Sequence, residues 1–272
     1  YNGATEFTYT GSEQVINSGA TTTSTQNPTI KYTINGADAK FTDVPANGEL
    51  VLKITAEETD DFYAAEITLT ITVSKADVDM SGVDFEDLEC EYDGADKSIT
   101  VDTSMLPAGV TVQGYEYIDT SDGTTLSGSS VISAGVYKVT VKFTVADTNN
   151  YNLVASKTAT LTVKKASYDM TGVTFDGDTV EYDGSAHTLT IDNATLPAGV
   201  TVKEYVYTNK ADGSKVTDTG VINAGEYTVS VSFNVADSVN YNGVTALTAT
   251  LTINKAQTVI DTSAIVTDYT YD

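Results

Sequence analysis

The 272-residue chain has no tryptophan and no arginine, one cysteine, one histidine and four prolines. Each scarcity closes something off. With Cys90 alone no intrachain disulfide can form, so an oxidising compartment is neither required nor excluded. Cys90 is expected to be a small buried hydrophobe. His187, the lone histidine, leaves one place for a triad or a histidine-containing metal site. It is expected instead to face solvent from a strand. No stretch approaches the ~20 apolar residues of a membrane span, which argues against membrane insertion. Cations are scarce as well, with 14 basic against 38 acidic residues and a formal net charge of -24. Such a chain repels phosphate backbones and anionic lipid, which argues against a nucleic-acid partner. No phosphate-binding loop, dinucleotide fingerprint, HExxH or CxxC is present, and the chain reads as a non-enzyme without a cofactor.

What is abundant is threonine, valine and tyrosine, residues whose branched or flat side chains suit a pleated surface. They come in repeats. LPAGVTV occurs at Leu106–Val112 and Leu196–Val202, EYDG at Glu91–Gly94 and Glu181–Gly184, TATLT at Thr158–Thr162 and Thr248–Thr252, each pair 90 residues apart. Residues 77–166 align on 167–256 without a gap, and nearly half of the aligned positions are identical. Val180 and Lys97 are thereby the counterparts of Cys90 and His187. Residues 1–76 read as a diverged, shortened copy, because Lys75-Ala76 matches Lys165-Ala166 and Lys255-Ala256, and YTG at Tyr9–Gly11 stands where later copies have YDG. Residues 257–272 look like the first strand of a further copy.

Within a copy the period is two. Tyr227, Val229, Val231, Phe233 and Val235 share one face, as do Ala249, Leu251 and Ile253. Straight alternation through GVTVKEYVY puts Val200, Val202, Glu204 and Val206 on one face and Tyr205 and Tyr207 on the other. Asp122-Gly123 and Asp212-Gly213 are hairpin signals. About seven short strands per copy, with turn signals every 8 to 12 residues, predict tandem immunoglobulin-like β-sandwiches, an all-β fold. In AGVYKV and AGEYTV, Tyr137 and Tyr227 occupy the place of the corner tyrosine that ties down the start of strand F, with Val139 and Val229 facing the core.

Taken together, YDG, LPAGVTV, AG-x-Y-x-V-x-V-x-F, NYN and TATLTI-x-KA resemble the MBG-type repeats of Gram-positive bacterial surface proteins, a family named for mucin-binding proteins. The resemblance implies extracellular display, tandem arrays, and a stalk or adhesin role with host or cell-wall glycans or mucin as partners. It carries no catalytic residues. It also implies a β-grasp-like fold as the alternative to the sandwich, although no stretch is long enough for the grasp helix.

Three further sites are candidates on the residues themselves. Tyr115, Tyr117, Tyr205 and Tyr207, projecting from a sheet face, would stack on sugar rings in a carbohydrate-binding module. ADTNNYN (Ala146–Asn152) and ADSVNYN (Ala236–Asn242) offer hard oxygen donors for calcium, set against the ordinary turn chemistry of Asp and Asn. Copy one, which opens with YNGATEFTYTG, is expected to lack most of the first strand. A strand donor at Val259, Ile265 and Val266 would then complete a neighbouring molecule head to tail, as in a filament subunit; the other reading is a window on a longer array. The short junctions KADVDM and KASYDM make neighbouring repeats of the same chain the first partners, stacked with limited freedom.

Overall fold

The computed structural model describes residues 1–260. The first repeat contains β1 (Glu6–Thr8), β2 (Gln14–Val15), β3 (Ile30–Ile34), β4 (Ala37–Asp38), β5 (Lys40–Phe41), β6 (Glu49–Ala56) and β7 (Ala65–Ser74). The second contains β8 (Leu88–Glu91), β9 (Val110–Asp119), β10 (Thr125–Leu126), β11 (Gly135–Val145) and β12 (Lys157–Lys164). The third contains β13 (Asp178–Glu181), β14 (Val200–Asn209), β15 (Lys215–Thr217), β16 (Gly225–Val235) and β17 (Leu247–Asn254). The chain divides into two compact units, one of residues 1–88, 96–131 and 136–162, the other of residues 89–95, 132–135 and 163 onward.

Each repeat is built on one five-stranded sheet with the same order: β1-β7-β6-β3-β4, then β8-β12-β11-β9-β10, then β13-β17-β16-β14-β15. The first strand lies along the last, parallel for β1 on β7 and β13 on β17, while β16 pairs antiparallel with both β17 and β14. This is the sheet of an immunoglobulin-like sandwich, with the last, penultimate and middle long strands as G, F and C. Among the described residues the only helices are the three-residue 3-10 turns Thr103–Met105 and Asn193–Thr195, capped by the Asp102 and Asp192 carboxylates. A grasp helix is absent from those residues, and the fold is all-β and immunoglobulin-like.

The facing layer is thinner than seven strands per repeat would make it. It is pinned by single bridges, Lys97 to Val131 and His187 to Val221, and in repeat one by the β2–β5 pair. Its apolar side chains still fill the core: Ile99, Val101 and Val131 are buried in the second repeat, and Leu189, Ile191 and Val221 in the third. Opposite them lie Val139, Val141, Val229 and Val231, all fully buried, as the alternation in β11 and β16 requires.

Alternation fails in one place. β14 pairs with β16 through a bulge at Val202/Glu204, so Lys203 is an extra residue, and β9 carries the same irregularity opposite Lys142/Phe143. A bulge shifts the face of everything beyond it. Val200 and Val202 therefore share the core side with Tyr205 and Tyr207, and the expectation that the tyrosines face the other way is corrected.

The first strand of copy one is likewise not missing. Glu6, Phe7 and Thr8 pair with Thr72, Val73 and Ser74, the place that β13 takes on β17. The acceptor edge imagined for an incoming strand is already filled. Of the proposed donor residues, Val259 is highly exposed outside any strand, and Ile265 and Val266 lie outside the described residues.

Candidate functional site at the repeat junctions

The tyrosines singled out for glycan contact are structural. Tyr117 and Tyr207 are fully buried, with Tyr115 and Tyr205 half-buried beside them. Their hydroxyls accept main-chain N–H groups from the facing layer: Ile99 to Tyr117 at 3.2 Å, Val101 to Tyr115 at 3.0 Å, Leu189 to Tyr207 at 3.1 Å and Ile191 to Tyr205 at 3.0 Å. Here is the reason the second layer needs so little ladder. Buried amides must be paired, and four phenols span the sandwich to do it. Tyr117 and Tyr207, sequestered in this way, offer no platform to a sugar, whereas Tyr115 and Tyr205 keep part of their rings at the surface.

Tyr227 Oη donates to the Asn223 carbonyl at 2.8 Å, four residues back, as a corner tyrosine does. Tyr137 is buried at the same position, and burial, reinforced by Asp119, raises its phenol above the ordinary value. His187 does not face solvent. Its side chain is 17% exposed, because the residue sits on the bridge to Val221, and Nε2 lies 3.2 Å from Asp183 Oδ1 without hydrogen-bond geometry. Cys90 is half-buried on β8 rather than fully enclosed.

The residues that the recurring motifs bring together are elsewhere, where one repeat passes into the next. In the first unit, Ala76 leaves β7 and pairs in parallel with Tyr151. Ala76 N–H donates to Asn150 O at 2.9 Å and Asn152 N–H to Ala76 O at 2.9 Å, while Lys75 Nζ donates to Thr148 O at 2.6 Å. The Asn150 side chain is the buried polar group at the centre, 6% exposed. Its Oδ1 accepts the N–H of Val44 at 2.8 Å, and its Nδ2 donates to Asp147 Oδ2 at 2.9 Å and Asp43 Oδ1 at 3.0 Å. Asn149 Nδ2 reaches the Val44 carbonyl at 3.1 Å, so Val44 is held through both its polar main-chain atoms. Tyr9, from the YTG motif, meets Tyr151 edge to face with centroids 5.2 Å apart.

The second unit repeats the clamp. Ala166 pairs in parallel with Tyr241, its N–H donating to Asn240 O at 2.9 Å and its carbonyl accepting Asn242 N–H at 2.8 Å. Lys165 Nζ donates to Ser238 O at 2.5 Å. Asn240 Oδ1 accepts the Ala134 N–H at 2.8 Å, and its Nδ2 donates to Asp237 Oδ2 at 2.9 Å. Tyr92, from the YDG motif, meets Tyr241 edge to face at 5.5 Å, and Tyr168 stacks on the same ring at 4.3 Å. Ser133 stands where the first junction has Asp43.

One chemical logic runs through both. An Asp at the loop's start is held ionised, its acidity raised above all by the side-chain hydrogen bond from Asn150 or Asn240. That carboxylate fixes the carboxamide rotamer, and the fixed carboxamide presents its oxygen to one amide of the preceding repeat. Neutral hydrogen bonds contribute about 0.5–1.5 kcal/mol each and an aromatic pair about the same beyond its area, so each junction is a set of weak contacts acting in concert. In the sequence the NYN loops carry no mark of this clamp beyond their turn-forming Asp and Asn. The available signal was that KA, YDG and NYN recur at one interval while none of them belongs to an apolar strand face. Among the described residues no group of three or more His, Cys, Asp or Glu side chains is placed to hold a metal ion. None of their helices is long and apolar enough to cross a membrane.

No curated protein matches the sequence. Solved structures with low similarity include three cadherin domains of Drosophila N-cadherin (8% identity, 93% of this chain and 99% of that one, TM-score 0.27). Others are the insect immune protein hemolin (12%, 93% and 74%, TM-score 0.23) and the Bacteroides ovatus glucan-utilisation protein SGBP-B in complex with a mixed-linkage heptasaccharide (16%, 92% and 67%, TM-score 0.20). Scores of this size identify no relative. The family model is decisive: it matches residues 81–167 and 171–257, well over half of the sequence, and the chain belongs to the MBG domain family.

Proposed function

We propose that this chain is a stalk-forming segment of an extracellular surface protein, whose repeats are stapled end to end so that they carry an adhesive or other terminal element away from a cell. The observation that carries the reading is the recurrence of one clamp at both junctions, Asn150 on the Val44 amide and Asn240 on the Ala134 amide. A flexible string of domains needs no such device, since Gly/Ser linkers give free swivel. Here the last strand of each repeat leads directly into hydrogen bonds with the next, through Ala76 and Ala166. Neighbouring repeats are thus the first partners, and membership of the MBG family supports the extracellular setting. Low basic content and high negative charge suit a segment that must stay soluble and unattached along its length.

Small-angle X-ray scattering on the native chain and on Asn150→Ala/Asn240→Ala tests this. The native chain should keep one well-defined maximum dimension across salt concentrations. The double variant, with its circular dichroism unchanged, should scatter as a mixture of bent and extended forms. Indistinguishable curves would remove the stapling from the account.

A further inference from the structure

We infer that the far end of the third repeat, formed by Tyr182, the Ala224 amide and Lys255-Ala256, is a complete docking face for another MBG-type domain bearing an Asp-x-x-Asn-Tyr-Asn loop. The inference rests on the stapling read at the two junctions. The face is seen occupied twice in the same chain. Tyr9 and Tyr92 are half-buried against Tyr151 and Tyr241, whereas Tyr182 at the equivalent position is 41% exposed. Ala76 and Ala166 are half-buried in their parallel bridges, whereas Ala256 is exposed.

The positions are also held ready. Tyr182 N–H donates to Asn254 O at 2.9 Å, as Tyr92 N–H donates to Lys164 O at 2.8 Å, so the two rings leave the sheet at the same point. The Tyr227 hydroxyl grips the Asn223 carbonyl at 2.8 Å, and that carbonyl belongs to the peptide whose N–H is the Ala224 amide. The corner tyrosine thereby fixes the donor that Ala134 uses at the preceding junction. Lys255 matches Lys75 and Lys165, whose ammonium groups bind the loop carbonyl two residues before the clamping Asn.

The occupant follows from what the face has to satisfy. It needs a carboxamide oxygen for the amide, an Asp to hold that carboxamide, and a tyrosine edge for Tyr182. The first repeat of a second copy offers Asp60-Asp61-Phe62-Tyr63 instead, and Asp61 is already engaged, accepting Gln26 Nε2 at 2.6 Å. The fit is therefore to a repeat of the second and third type, which carries the Asp-x-x-Asn-Tyr-Asn loop.

The test is a chain of residues 1–256 followed directly by a second copy of residues 167–256, compared with the three-repeat chain by amide hydrogen exchange. Protection of the Ala224 amide should rise by about tenfold or more on extension, as a new tertiary hydrogen bond gives. Asn240→Ala in the added copy should return it to the starting level. As a second readout, Tyr182→Ala should lower the unfolding midpoint of the extended chain and leave that of the three-repeat chain unchanged. An Ala224 amide that is unaltered by extension, while Ala134 stays protected, overturns the docking face and leaves the stapling intact. An unprotected Ala134 in the starting chain overturns both. Protection of Ala224 that grows with the concentration of the unextended chain would assign the face to a second copy and also overturn the inference.

Discussion

Asn150 and Val44 lie 106 residues apart in sequence, yet the carboxamide oxygen of one accepts the main-chain N–H of the other at 2.8 Å. Asn240 and Ala134 have the same separation and the same distance. Between Val44 and β6 the first repeat carries four residues, Pro45, Ala46, Asn47 and Gly48, whereas Ala134 leads directly into β11. The clamp has been kept while the loop beside it changed length.

Removing that carboxamide should therefore cost more than a surface hydrogen bond. Asn150→Ala leaves the Val44 amide and the Asp147 and Asp43 carboxylates without their shared partner, in a place where Asn150 itself is 6% exposed. A buried donor left unpaired costs about 1–3 kcal/mol. Urea unfolding should show a loss of that size, confined to the transition that reports the first repeat and its junction. A loss no greater than that of an exposed substitution would mean that solvent replaces the carboxamide.

Acid should loosen the junctions, and the sign follows from the carboxylates. Asp147 and Asp237 titrate below their ordinary value, chiefly because Asn150 and Asn240 donate to them. A depressed carboxylate contributes stability that is present above the unfolded value of ~3.9 and lost as pH falls through the lower folded value. The thermal midpoint should be level from neutrality to about pH 5 and should fall below about pH 4. Turn carboxylates such as Asp79, Asp169 and Asp212 are lowered too and add to the fall. Asp147→Asn/Asp237→Asn isolates the junctions: the double variant should show a shallower acid limb. Parallel limbs would place the acid sensitivity elsewhere.

The phenols that cross the sandwich make a separate prediction. Tyr207 is 2% exposed and its hydroxyl takes the Leu189 amide at 3.1 Å. Tyr207→Phe keeps the ring and strands the amide, for about 1–3 kcal/mol. Tyr227→Phe removes the bond to Asn223 and should cost about 1 kcal/mol. Denaturant midpoints measure both, and an unchanged midpoint for Tyr207→Phe would mean that water reaches Leu189 N–H.

Much of this architecture is legible in the sequence. The alternation of Val229 and Val231, the Asp-Gly turns whose Gly123 and Gly213 take φ of 77° and 72°, and the corner position of Tyr227 are local signals, and local physics fixes them. Straight alternation misplaces Tyr205 and Tyr207 because a one-residue bulge at Val202/Glu204 leaves no mark on a strand-like composition. The junction is hidden in the sequence for a different reason. Asp, Asn and Tyr in a loop suit a turn and a clamp equally well, and what marks the clamp is a partner over 100 residues away. Cys90 and His187 show the same limit: strand period assigns a face, not how closely the opposite layer covers it.

If successive repeats are joined through Asn150 and Asn240 rather than merely linked, nitrogen-15 relaxation of the native chain reports it. Backbone amides of the second and third repeats should report one common anisotropic tumbling, with Asn150 and Asn240 side-chain amides as ordered as the core. Separate, shorter correlation times for the two repeats, with those side chains averaged among rotamers, would mean that the repeats are linked but not joined.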